Sequence, residues 1–238
     1  MRTLRDHPRL VRHGVAAIVL AAVVIVPFHA IFAHPGSRMV GVGDGTGTLR
    51  KLWAASTLQR TPLSFDHDAL LGAPEGSTVV PAANLANGGV ETAFIWELKG
   101  PLGLVGAYNA FMFLGLFATG LALYAFLTYL GCTFGASLLG GAVFALSPYA
   151  VERAYAGHAG FMHNWIFVLL AWLMLRLAER RSWRVAAGAG LALALAFYLS
   201  AYQALLGSAV VFAFLVVDLV RTRERGERLR VLARGAVI

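Results

Sequence analysis

Long runs without a charged residue constrain this chain more than any other feature. Leu102 to Leu130 carries none, and Val185 to Val220, 36 residues, carries only Asp218. About 20 apolar residues cross a bilayer as a helix, so the first run is long enough for one crossing and the second for two. Inside lipid every backbone amide and carbonyl needs an internal partner, which leaves helices or closed barrels. Runs of this length predict helices. Composition agrees: 13% of residues are charged, against about 25% in soluble domains, and 58% are hydrophobic. A water-soluble domain of this make-up could not cover its apolar surface.

The expected architecture is an all-α, polytopic membrane helix bundle, read as one membrane domain over residues 1–238. Its spans are placed at about 14–33, 103–130, 134–149, 161–178, 184–200 and 203–220. Pro27 is expected to kink the first span. Ala136, Gly140 and Gly141 point to close helix packing in the third. The hinge between the last two is placed near Tyr198 to Gln203. Net charge is +8, but the cations cluster at the ends of apolar runs, which points to membrane orientation and away from nucleic acid. Of 20 Lys and Arg, 4 lie in residues 1–12, 4 in 176–184 and 6 in 221–234, on one predicted side; the other 6 lie opposite. Positive residues favour the cytoplasm, so both termini are expected there, with the 34–101 loop extracytoplasmic. The apolar ending at Ile238 suggests a further span and an N-terminal piece of a longer protein. A single cysteine, Cys132, excludes an intramolecular disulfide and a Cys-rich metal site.

The loop from His34 to Pro101 holds 6 of the 12 acidic residues. Thr48 to Gln59 and Val90 to Leu98 are expected as short interfacial helices, with Gly100-Pro101 closing the loop. Asp44 stands between glycines about ten residues beyond the first span. A carboxylate there could act as a general base or metal ligand, or cap the following helix. Asp66, His67 and Asp68 form a second cluster. On extended chain Asp66 and Asp68 would share a face and could share a metal; the alternative is a solvated turn. Arg153, Lys51 and Arg38 could grip a lipid phosphate or merely touch headgroups. His158, His163 and Asn164 mark the outer start of the fourth span, where they could bind an anion or, with Trp165, anchor the helix at the interface.

The order of these features, with "PLSFDHDALLGAPEG" (residues 62–76) and "FALSPYAVERAYAGHAGFMHNWIFVLLAW" further on, resembles bacterial membrane glycosyltransferases of the GT-C superfamily. The resemblance implies a helix bundle with interfacial helices over a lipid-accessible groove, in the bacterial plasma membrane. It implies inverting transfer of a hexosyl or pentosyl group from a polyprenyl-phosphate donor to a glycan, lipid or protein acceptor. In those terms Asp44 is the catalytic base. Asp68 is the second acid of the loop, positioning the acceptor or sharing a divalent metal, Mg or Mn, with Asp44. Arg153 and His158 lie at the donor phosphate, with Lys51 and His163 as further substrate contacts. Six spans are fewer than a complete core of that superfamily.

The rival expectation is a non-catalytic polytopic membrane protein: a transporter, a lipid-handling protein or an assembly subunit. A transport path needs polar groups within the spans, and His29, Asn109, Tyr202, Gln203 and Asp218 are the residues placed for it.

Overall fold

The computed structural model describes residues 7–41, 49, 53, 66–68, 75–79, 88–222 and 225–238. Helices dominate. Helix α1 (His7–Ile25) runs through a 3-10 turn at Val26–Phe28, where Pro27 sits, into a short α2 (His29–Phe32). After the loop come α3 (Gly89–Tyr129), α4 (Phe134–Ala145), α5 (Pro148–Tyr155) and a second 3-10 turn at Ala159–Met162. Then follow α6 (Trp165–Arg180), α7 (Trp183–Leu199), α8 (Ala201–Arg221) and α9 (Arg225–Gly235). Within the loop, β1 (Asp66–Asp68) pairs antiparallel with β2 (Ser77–Val79), Asp68 opposite Ser77.

Among the described residues, four stretches are long and apolar enough to cross a membrane: Val11–Phe32, Gly89–Tyr129, Phe134–Tyr155 and Ala201–Arg221. This is the make-up of a membrane protein. The sequence reading also counted α6 and α7 as crossings. With 16 and 17 residues they reach about 24–26 Å, short of a hydrocarbon core of about 30 Å.

By contacts the chain divides into two compact units, residues 1–83 with 91–165 and residues 84–90 with 166–238. In the first, Ala16, Leu20 and Val24 form a buried stripe on α1, while Val11, Val15 and Ile18 stay exposed. Ala16 and Leu20 join Tyr124 of α3 and Phe134 and Leu138 of α4 in one cluster. Glycines set how closely α3 and α4 approach. A Cβ on Gly141 would stand 2.5 Å from the Gly120 carbonyl oxygen, too close to fit, and one on Gly120 would stand a tight 3.1 Å from the Gly141 oxygen.

Two expectations about breaks need correction. Gly100 and Pro101 do not close the loop. The helix that starts at Gly89 runs through both and is interrupted at Gly103, with φ 67° and ψ 167°. Pro101 withholds an amide from the ladder, and the chain takes up the distortion two residues on, at a glycine that accepts positive φ. The third expected span is likewise divided. α4 ends at Ala145, and α5 restarts where the Ser147 hydroxyl accepts the Ala150 amide at 3.3 Å, with Pro148 in the first helical turn.

In the second unit α7 and α8 form a hairpin through Ser200, whose extended backbone (φ −168°, ψ 137°) separates them. Ala186, Ala189, Ala192 and Ala196 line the buried face of α7. Gly207 of α8 lies close to Leu170 and Leu193; a Cβ would stand 2.9 Å from the first. Arg181 donates to the Asp218 carboxylate at 2.5 Å and to the Thr222 hydroxyl at 3.4 Å, tying the end of α6 to the end of α8.

Candidate functional site

The site grows from α5. Its sequence, PYAVERAY, buries Ala150 and Ala154 and leaves Tyr149, Glu152 and Arg153 toward the outside. Gly157, with φ 79°, ends it: its amide bonds to the Ala154 carbonyl, and the His158 amide to the Arg153 carbonyl, each at 3.0 Å. This is the left-handed glycine stop with two reverse hydrogen bonds, and it folds His158 back over the last turn. Arg153 therefore meets His158, its Nη1 donating to Nδ1 at 3.3 Å. A Glu152 oxygen lies 3.5 Å from Arg153 Nε, an ion pair without hydrogen-bond alignment. The guanidinium lies 5.5 Å from the Tyr149 ring centre and 5.8 Å from that of Phe161. The result is a half-exposed cation at a helix C-terminus, beside aromatic faces that support it.

The backbone at Gly157 is crossed by the start of the acidic loop. Gly41, φ 102°, packs so closely that a Cβ on it would stand 2.6 Å from the Gly157 Cα and 3.1 Å from the Ala154 oxygen. Two neighbouring residues of α3 hold the crossing. The Tyr108 hydroxyl donates to the Gly157 carbonyl at 3.1 Å. The Asn109 amide donates to the Pro35 and Arg38 carbonyls at 2.9 and 2.7 Å, and its oxygen accepts the Val40 amide at 3.2 Å. Both side chains are buried.

His163 has a different environment. It is 4% exposed, its ring 4.2 Å from that of Phe111, with Gly115 leaving room for it. Its Nδ1 accepts the Trp165 indole N–H at 2.9 Å. Burial lowers its pKa to about 4, which the Phe111 carbonyl offsets only in part; Nε2 is buried without an aligned partner. His163 is neutral at pH 7 and carries no charge for an anion. Beside it the buried Thr119 hydroxyl donates to the Met162 carbonyl and accepts the Trp165 amide, each at 3.0 Å.

Of the residues singled out in the sequence, the structure joins Arg153 with His158 and sets His163 apart in the core. Asp44 and Lys51 lie outside the described residues, as do most of the expected helix at 48–59 and the side chain of Asp68. The backbone of Asp66–Asp68 is a strand and not a turn. Among the described residues no three His, Cys, Asp or Glu side chains gather as a metal site. Sequence reasoning missed Gly41, Gly157, Tyr108 and α5 itself. The helix was marked by Ser147-Pro148 at its start and Gly157 just past its end. Nothing local marks the pairing of Gly41 with Gly157.

No curated protein and no solved structure matches the chain. A family model described as "Domain of unknown function (DUF6311)" matches residues 102–238, a stretch that includes Tyr108, Asn109, Arg153, Gly157 and His158; it covers more than half of the chain, and the chain belongs to that family.

Proposed function

We propose that the protein is a polytopic GT-C-like glycosyltransferase of the bacterial plasma membrane. It transfers a sugar from polyprenyl phosphate to an acceptor hydroxyl outside the cell, both termini lying in the cytoplasm. Asp44 takes the hydroxyl proton as the acceptor oxygen bonds to the anomeric carbon. The bond from that carbon to the phosphate oxygen breaks, the electron pair leaves with the phosphate, and the anomeric centre inverts. Arg153 meets the phosphate charge, and His158 holds the guanidinium in place. One observation carries this reading: Gly41, three residues before Asp44, lies against Gly157, the residue before His158. The loop bearing the expected base thus departs from beside the expected phosphate contact. Aromatic faces next to the guanidinium suit a phosphate carried on an isoprenoid chain.

A divalent metal shared by Asp44 and Asp68 would add charge neutralisation at the leaving phosphate, and no step above depends on it. The transport alternative is weakened because two residues it needs are engaged elsewhere. Asn109 is committed to the 35–40 turn and Asp218 to Arg181.

The test uses the full chain in lipid nanodiscs with synthetic polyprenyl-phosphate hexoses and pentoses. Asp44→Asn should slow transfer by about 10²–10⁴-fold, the usual range for a general base. Arg153→Gln should weaken donor binding. A folded Asp44→Asn protein that transfers at the parent rate removes Asp44 from the mechanism.

A further inference from the structure

Helix α9 presents its faces in the reverse of the order water would favour. Arg234, 7% exposed, and Val231 face inward, with Glu227 half-buried beside them. Arg234 lies 4.0 Å from a Glu227 oxygen, and its guanidinium lies 5.8 Å from the Trp183 ring centre. Outward, Leu229 is 62% and Leu232 55% exposed, and Ala233 is exposed with them. Positions 229, 232 and 233 share one helical face, and the exposed Arg228 and Arg230 flank it on either side.

We infer that this outward face of α9 lies in the membrane surface and binds anionic lipid headgroups. An apolar stripe bordered by arginines is the pattern of a helix resting at the boundary between headgroups and acyl chains. Its position in the chain agrees. α8, long and apolar enough to cross a membrane, ends at Arg221 and exposes Val216, Val217 and Val220 near that end. α9 begins four residues later, and Arg228 Nε donates to the Thr222 carbonyl at 2.7 Å, holding the helix to the exit point. Residues 221–230 hold five arginines, at 221, 223, 225, 228 and 230, against Glu224 and Glu227, so the stretch keeps a net positive charge complementary to lipid phosphate even with Arg230 paired to Glu227 at 2.7 Å. A second copy docked on the same face would bring like charges together. The inference needs the membrane architecture only and is independent of any glycosyl transfer.

The test uses the full chain with Cys132→Ser and Ala233→Cys, labelled with an environment-sensitive fluorophore. It is placed in nanodiscs of phosphatidylcholine alone or mixed with phosphatidylglycerol. The label should be quenched by nitroxide lipid and shielded from acrylamide, more so with phosphatidylglycerol. Adding Arg230→Gln, which leaves the Arg228–Thr222 bond in place but removes the Arg230–Glu227 ion pair, lowers the net charge of this face by one and should lower the ratio of inserted to exposed label about fivefold in the anionic discs, the effect of one surface arginine. It should change little in pure phosphatidylcholine. Equal access to acrylamide in both lipids would overturn the inference. So would a label shielded from acrylamide yet untouched by nitroxide lipid, which would indicate cover by protein.

Discussion

Gly41→Ala tests the crossing that defines the candidate site. The new methyl would meet the Gly157 Cα at 2.6 Å, its nitrogen at 2.9 Å and the Ala154 oxygen at 3.1 Å. All three are backbone atoms, so no side chain can swing aside. Overpacking of this kind costs about 1–3 kcal/mol. The backbone at φ 102° adds about 1–2 kcal/mol for a residue with a Cβ. The sum, about 2–5 kcal/mol, competes with the Asn109 clamp. Three hydrogen bonds at about 1 kcal/mol net hold the 35–40 turn. The two quantities are comparable, so the turn should lift locally while the helices stay folded. Hydrogen exchange by mass spectrometry over residues 35–41 reads this directly. A local loss of about 2 kcal/mol speeds exchange about thirtyfold, since 1.4 kcal/mol is a factor of ten. Gly131→Ala is the control, because φ is 86° there but nothing lies within 4 Å of the added carbon. Parent-like exchange in the Gly41→Ala protein would refute the crossing.

Asn109→Ala should lower thermal stability by about 2–4 kcal/mol, because it strands the buried Val40 amide; Asn109→Asp should do no better, since it cannot donate to the Pro35 and Arg38 carbonyls. His163, held near 4 when folded against 6.5 unfolded, binds fewer protons in the folded state. Its contribution is complete above pH 6.5 and is lost as pH falls toward 4, about 3 kcal/mol in all. Unfolding temperatures between pH 7 and 4 should show that slope in the parent and a shallower one in His163→Gln; equal slopes would exclude His163 as the source. Arg181→Gln and Asp218→Asn should each cost about 1–2 kcal/mol, and the double variant little more than either alone, as read in a double-mutant cycle.

Much of the helical plan was legible in the sequence because lipid imposes a simple rule on length and charge. The uncharged run ending at Leu130 became the second part of α3, and the break expected between Tyr198 and Gln203 falls at Ser200. The small residues of the third span do pack closely, Gly141 against Gly120. Other features were hidden for physical reasons. A proline passes its distortion down the helix, so Pro101 did not mark the break that came at Gly103. Asn109 looked like a polar group on a transport path because its partners lie about seventy residues earlier, where no periodicity can reveal them. His163 and His158 looked alike in sequence, and only burial separates a neutral core ring from one beside an arginine. The site was half legible: Arg153 and His158 were named together, but the glycine contact that brings the loop to them depends on missing side chains.

The Thr119 hydroxyl serves two segments with one oxygen, giving its proton to Met162 and taking one from the Trp165 amide. The carbonyl before His163 and the first amide of α6 therefore share a single fastening. Removing that one hydroxyl takes away both bonds at once. A Thr119→Val chain would release both ends of the His163 turn together, and a Thr119→Ser chain neither.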